Sequence, residues 1–198
     1  YERAAAIVVE EVASLERRVR AFSECAAEPE PHPSRLDLNA AVTERVALLR
    51  AAHPGVRYQV EAADRVDAWA DADQVNGILT NLLENAADAA GDGGEVKAVV
   101  RLDGCAASVE VHDSGAGVSE AARGRLFEPS ISFKRHGMGL GLAISRKNAL
   151  LAGGDLTLIA GQLGGAGFRL TLPRLGAAPG QPPDVTEESR AGGKRGTP

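Results

Sequence analysis

Asn81-Leu82-Leu83-Glu84-Asn85-Ala86, Asp113-Ser114-Gly115-Ala116-Gly117 and Gly137-Met138-Gly139-Leu140-Gly141-Leu142 follow one another along the chain, and reading them together decides the fold. Around the first, Val75, Ile78, Leu79, Leu82, Leu83 and Ala86 recur at the intervals of an amphipathic helix. Asp71, with Gln74 a turn further on, is placed to cap its start. Residues three and four apart on a helix are neighbours, so Asn81, Asn85 and Asp88 form a polar column beside the apolar stripe. Alone, such a column is an ordinary solvated face. It also suits a cation with phosphates, because magnesium takes oxygen ligands and keeps several waters.

The second stretch ends a strand in which Ala107, Val109 and Val111 alternate with Ser108, Glu110 and His112. Asp113 shares the inward parity of the valines, and His112 points the other way, where a solvated or satisfied side chain is the ordinary outcome. An inward carboxylate is costly unless a donor meets it. The amino group of an adenine is such a donor, whereas guanine presents an acceptor at the same place. The plainer alternative is an aspartate opening a tight D-S-G turn. Gly115 and Gly117 let the backbone bend sharply and come close to a flat base.

The third stretch sets glycines at alternate positions just before Leu140-Gly141-Leu142-Ala143-Ile144, a plausible helix start. Backbone N–H groups at a helix N-terminus bind phosphate, and glycines remove the side chains that would block approach. The pattern is GxGxG with no GK[ST], so it is neither a dinucleotide fingerprint nor a P-loop.

In order and spacing the three stretches resemble the N, G1 and G2 boxes of the ATP-binding fold shared by sensor histidine kinases, DNA gyrase, the ninety-kilodalton heat-shock chaperone and MutL. Leu126-Phe127-Glu128-Pro129 and Ser130-Ile131-Ser132-Phe133-Lys134 are similar to the F box and ATP lid of histidine kinases of the nitrogen-regulation type. That type carries threonines before the lysine, where this chain has Ser132 and Phe133. The resemblance covers about Leu36 to Pro173. It implies an α+β fold of the Bergerat type, a two-layer α/β sandwich with a mixed sheet and helices on one face, using ATP and magnesium (Mg2+). By the same resemblance Asn85 would hold the metal, Asn81 would support metal or phosphates, and Asp113 would bind the adenine amine. Gly115 and Gly117 would border the base. Gly137, Gly139, Leu140, Gly141 and Leu142 would line the phosphates, and Lys134 on the lid would reach them. Catalysis would thus rest on Asn81, Asn85 and Lys134, with no catalytic role for Asp88.

The rest of the chain fits this expectation. With 198 residues and 44% hydrophobic content it can bury one ordinary core. A net charge of −5 argues against a nucleic-acid partner. Two cysteines, Cys25 and Cys105, lack metal spacing and read as free thiols of a cytoplasmic protein. No apolar run is long enough to span a membrane, so no membrane contact is expected of this segment.

Val8, Val12, Leu15, Val19, Phe22 and Ala26 trace a helical seam that must stop before Pro29 and Pro31. It resembles the second dimerisation helix of nitrogen-regulation sensor kinases. The expected organisation is therefore that helix at 1–28, a linker at 29–35, the catalytic and ATP-binding domain at 36–173, and a disordered tail at 174–198 rich in proline, glycine and charge.

A histidine kinase also needs a phosphoacceptor. None of the four histidines, His32, His53, His112 and His136, has the helical setting for it. The first dimerisation helix is expected upstream of Tyr1. The expected activity is phosphoryl transfer from ATP to a histidine on that helix, for relay to a response-regulator receiver domain, in a homodimer that binds ATP and ADP. Alternatives are a nucleotide-sensing module or a conformational ATPase of the same fold. The family's ATPases place a glutamate one turn before the magnesium asparagine. Here that position is Asn81, whose amide is no general base.

Overall fold

The computed structural model describes residues 30–62, 64–129 and 140–176. The expected helix at 1–28, the lid with Lys134, His136, Gly137 and Gly139, and residues 177–198 lie outside the described residues.

β1 (Ser34–Asp37) pairs antiparallel with β3 (Asp67–Ala70) in a small sheet of two strands. The main sheet has the order β2-β4-β5-β7-β6, with β2 (Arg57–Ala62), β4 (Glu95–Asp103), β5 (Ala106–Asp113), β6 (Asp155–Ala160) and β7 (Ala166–Pro173). The β2–β4 pair is parallel and the other neighbours are antiparallel, so the sheet is mixed. Helices α1 (Leu38–Ala52), α2 (Ala72–Ala90) and α4 (Gly141–Leu151) pack against one face, and a single turn, α3 (Glu120–Arg123), follows β5. This is the two-layer α+β sandwich the sequence implies.

The two longest helices each start at an aspartate cap. Asp37 accepts from the Ala40 N–H at 3.0 Å ahead of α1. Asp71 accepts from Asp73 and Gln74 at 2.9 and 3.0 Å ahead of α2. Its second oxygen takes the His32 N–H at 2.8 Å. The Gln74 and His32 hydrogen bonds, above all, hold the Asp71 carboxyl below the usual range. The Gln74 side-chain oxygen is itself buried without a partner, so only half of the expected reciprocal cap forms.

The stripe predicted for α2 is the middle of the core. Ile78, Leu79, Leu82 and Leu83 are fully buried against Leu38 and Val42 of α1, Val96 of β4, Val109 of β5 and Leu170 of β7. Burying a leucine of this kind is worth about 1.5–3 kcal/mol. The helix therefore sits where its apolar face requires, and its asparagines face what lies beside that core.

Two boundaries differ from expectation. β1 begins at Ser34, inside the stretch expected as linker, because its pairing with Ala70 satisfies backbone groups there. At the other end Arg174 and Leu175 are folded, not tail. Their N–H groups donate at 3.1 Å to Cys105 and Asp67, and Leu175 is buried. Asp67 is buried too, paired with Arg35 at 2.8 Å and Arg65 at 3.0 Å.

His112 does point away from the helices, as its parity requires, yet it is 0% exposed. It is a satisfied side chain and not a solvated one, because β5 is a central strand whose neighbours' long side chains lie across the outer face. Glu110 accepts twice from Arg169, at 3.0 and 2.7 Å. The other Glu110 oxygen meets His112 Nε2 at 3.2 Å and Gln162 Nε2 at 3.4 Å. Burial pushes the Glu110 carboxyl up, but hydrogen bonds and charge from Arg169 and His112 outweigh it and hold the group low.

Candidate functional site

The site begins at the end of β5. Asp113 is 3% exposed, and its Oδ1 accepts from two backbone N–H groups, Gly115 at 2.8 Å and Ala166 at 3.2 Å. Its own carbonyl takes the Gly165 N–H at 3.1 Å. Oδ2 takes no hydrogen bond among the described residues and is the oxygen left to meet a ligand's donor. That leaves the carboxylate doing more than opening a turn.

The approach of these segments requires glycine. A Cβ at Gly165 would run into the Asp113 carboxylate, and one at Gly115 into the Ala89 carbonyl of α2. Gly117 has φ +73°, a left-handed conformation that side chains disfavour. Gly115 donates to Asp113, and Gly117 lies against Gly165, whose N–H meets the Asp113 carbonyl.

The second end of the site lies on α2. Asn81 and Asn85 are half-buried, one turn apart, and Asn85 Nδ2 donates to Asn81 Oδ1 at 3.2 Å. Asn81 Nδ2 in turn donates to Ser145 Oγ of α4 at 2.9 Å. The first residue of α4, Gly141, lies so close that a Cβ there would run into Asn81 Oδ1. Leu140 accepts the Ile144 N–H at 2.9 Å to start that helix, and Leu142 packs against the core. Glu84, adjacent to Asn85, is exposed on the solvent face and offers no base here.

Gly115 against Ala89 also ties the two ends together, since Ala89 is one turn beyond Asn85 on the same helix. Asp113, Asn81, Asn85, Gly115, Gly117, Leu140, Gly141 and Leu142 therefore gather around one face of α2. Lys134, Gly137 and Gly139 lie outside the described residues.

Among the described residues no group of three or more His, Cys, Asp or Glu could hold a metal. The oxygens at this end belong to amides, a weak set by itself. It fits a magnesium that keeps waters and draws other ligands from phosphates.

Next to this end, Leu126 and Phe127 are half-buried against the core. The Arg146 guanidinium of α4 lies 4.9 Å over the Phe127 ring and pairs with Asp155 of β6 at 3.0 Å. The Arg146 hydrogen bond holds the Asp155 carboxyl below its usual range. The segment that leads into the lid is thus fastened to the helix that opens at Gly141.

Sequence reasoning missed Ser145 and the β6–β7 hairpin donors. The run Gly164-Gly165-Ala166-Gly167 was a signal for close backbone approach. Ser145, one polar residue on a helix with Leu142 and Ala149 turned inward, carried none.

An α+β sandwich with an inward carboxylate at a strand end and paired asparagines on the adjoining helix defines a nucleotide-binding class. Residues 70–176 match the family described as histidine kinase-, DNA gyrase B-, and HSP90-like ATPase, and the chain belongs to that family. The nitrogen regulation protein NtrY of Azorhizobium caulinodans is 30% identical over 184 residues, 89% of this chain and 24% of NtrY. The chain thus spans about a quarter of that curated relative's length. Full-length ShkA in complex with AMPPNP superposes with TM-score 0.69 at 27% identity, covering 83% of this chain and 36% of that one. The fold is also that of histidine kinase ThkA in complex with response regulator TrrA, at TM-score 0.71 and 23% identity over 85% of this chain and 49% of that one. Within that family, the proteins it aligns with include sensor histidine kinases, among them the catalytic domain of ThkA, at TM-score 0.67 and 25% identity.

Proposed function

We propose that this domain binds ATP with magnesium and transfers the γ-phosphoryl group to a histidine of a helical hairpin, for relay to a response-regulator receiver domain. The single observation that carries the reading is that a buried carboxylate with one oxygen unmet, at the end of β5, and a pair of asparagines lie along the same helix, α2. Asp113 would present that oxygen to an adenine amine, and Asn81 and Asn85 would face magnesium and the phosphates. Asn85 would hold the metal, and Lys134, Gly137, Gly139, Leu140, Gly141 and Leu142 would surround the phosphates. Magnesium, when bound, would neutralise charge on the phosphates, and the chain's own part is to position the nucleotide for in-line transfer.

Asn81 and the outward Glu84 favour transfer to a supplied histidine over hydrolysis, because neither places a carboxylate beside the phosphates. A conformational ATPase of the same fold is the second reading, and it needs the base that is missing here. The relatives' names and the ThkA–TrrA assembly support a receiver-domain partner, and the seam at 1–28 supports a homodimer. The use of ATP supports a cytoplasmic location. No helix among the described residues is long and apolar enough to cross a membrane.

The test is labelling. The chain with magnesium and radiolabelled ATP should bind nucleotide yet gain no phosphohistidine. Addition of an inactive partner bearing the upstream helix should produce acid-labile label. Label on the lone chain at His32 or His136, or none on any upstream helix, would overturn the assignment.

A further inference from the structure

Ser145 is a buried polar residue beside the site that the function above does not use. It is 3% exposed, between Leu142 and Ala149 on the face of α4 that meets the core. A hydroxyl there is costly unless paired, and its partner is Asn81 Nδ2 at 2.9 Å. Asn81 Oδ1 then accepts from Asn85 Nδ2 at 3.2 Å, and Gly141 closes off the same oxygen from the α4 side. The three side chains form a line from α4 across to α2.

An amide has a donor end and an acceptor end, so fixing one amide fixes the next. The Ser145 oxygen, placed as acceptor, turns the Asn81 NH2 toward itself. That turns the Asn81 oxygen toward Asn85, whose NH2 meets it and whose oxygen consequently faces the other way. An amide rotated by half a turn would present NH2 in place of oxygen, and a hard cation binds oxygen.

Resting on the proposed ATP and magnesium reading, we propose that Ser145 is a positioning residue that, through Asn81, orients the Asn85 amide with its oxygen toward magnesium. Asn81 acts through Asn85 in this arrangement. Ser145 therefore sets how strongly magnesium strengthens nucleotide binding, while having no part in binding the base.

The experiment compares the whole chain with Ser145→Thr and Ser145→Val, which share a shape and differ in the hydroxyl. Calorimetric titration with ATP in EDTA and in saturating magnesium gives a ratio of affinities for each protein. Wild type and Ser145→Thr should show the same magnesium enhancement, and Ser145→Val should lose about five- to tenfold of it with its EDTA affinity unchanged. If Ser145→Val does not melt cooperatively, Ser145→Ala is read in its place with the same two outcomes. A valine or alanine variant that keeps the wild-type ratio overturns the proposal, as does a threonine variant that loses it. A wild type that binds no ATP, or binds it without any magnesium effect, overturns the function itself. A normal wild type beside a normal valine variant sinks only the role of Ser145.

Discussion

At one end of the pocket Asp113 is held by peptide N–H groups of Gly115 and Ala166, while at the other Asn85 is held by an amide that is itself held by a hydroxyl. The donors of the first cannot be deleted by substitution, only pushed aside by an added side chain. The second can be altered one group at a time. On the proposed function, recognition of the base would thereby rest on loop geometry, and handling of the phosphates on three exchangeable side chains of two helices.

The largest effect should come from the exchangeable end. Asn85→Ala should reduce magnesium-dependent labelling of a supplied upstream helix by about a hundredfold, as when one charge-stabilising group is removed from a site. Circular dichroism should show the fold intact, since Ile78, Leu79, Leu82 and Leu83 hold α2 in place. Full labelling by this variant would move the metal site elsewhere.

At the base end, Asp113→Ala should weaken ATP binding about tenfold and erase preference for ATP over GTP, because the carboxylate that distinguishes an amine from a carbonyl is gone. Calorimetry with both nucleotides measures it, and unchanged discrimination would break the contrast between the two ends. Gly165→Ala should act on the same end by displacement, costing about 1–3 kcal/mol of stability in urea melts and part of the ATP affinity. An alanine there that leaves both unchanged would show that the hairpin yields.

The smallest effect is behind the base end, on the outer face of β5. Glu110 is held below its ordinary carboxyl range, so its contribution to stability is present above the unfolded pKa, about 4.3. It is lost as pH falls through the folded value. Urea melts stepped downward from pH about 5 should show wild type losing stability faster than Glu110→Gln, with Asp71 and Asp155 supplying the same slope in both. Parallel curves would show that the Arg169 and His112 pairing is not what lowers Glu110.

What could be read from the sequence follows the same division. The stripe of α2, the inward parity of Asp113 and the asparagine column are local periodicities, and the fold keeps them. Parity also gave the direction of His112 but not its cover, which comes from Glu110 on its own strand, Arg169 on β7 and Gln162 in the β6–β7 hairpin. Asn81 and Ser145 are 64 residues apart, and Asp113 and Ala166 are 53 apart. No local pattern encodes such pairings. They arise only when helix and hairpin are packed, and a lone serine among apolar neighbours gives no sign of its partner.

The small sheet has a mechanical consequence. Ser34 pairs with Ala70, while Asp67 on the same strand accepts from the Leu175 N–H and is gripped by Arg35 and Arg65. The backbone thus reaches the domain and leaves it along one strand, about 10 Å from end to end at the rise of a β-strand. A pull applied between the segments before residue 34 and after residue 176 would be taken up there, by shearing β1 and Leu175 from β3. His32, hydrogen-bonded to Asp71, and Arg174, hydrogen-bonded to Cys105, would pass part of that force to the start of α2 and to the five-stranded sheet. Strain delivered ahead of residue 34 would thus arrive at the cap of the helix that carries Asn81 and Asn85.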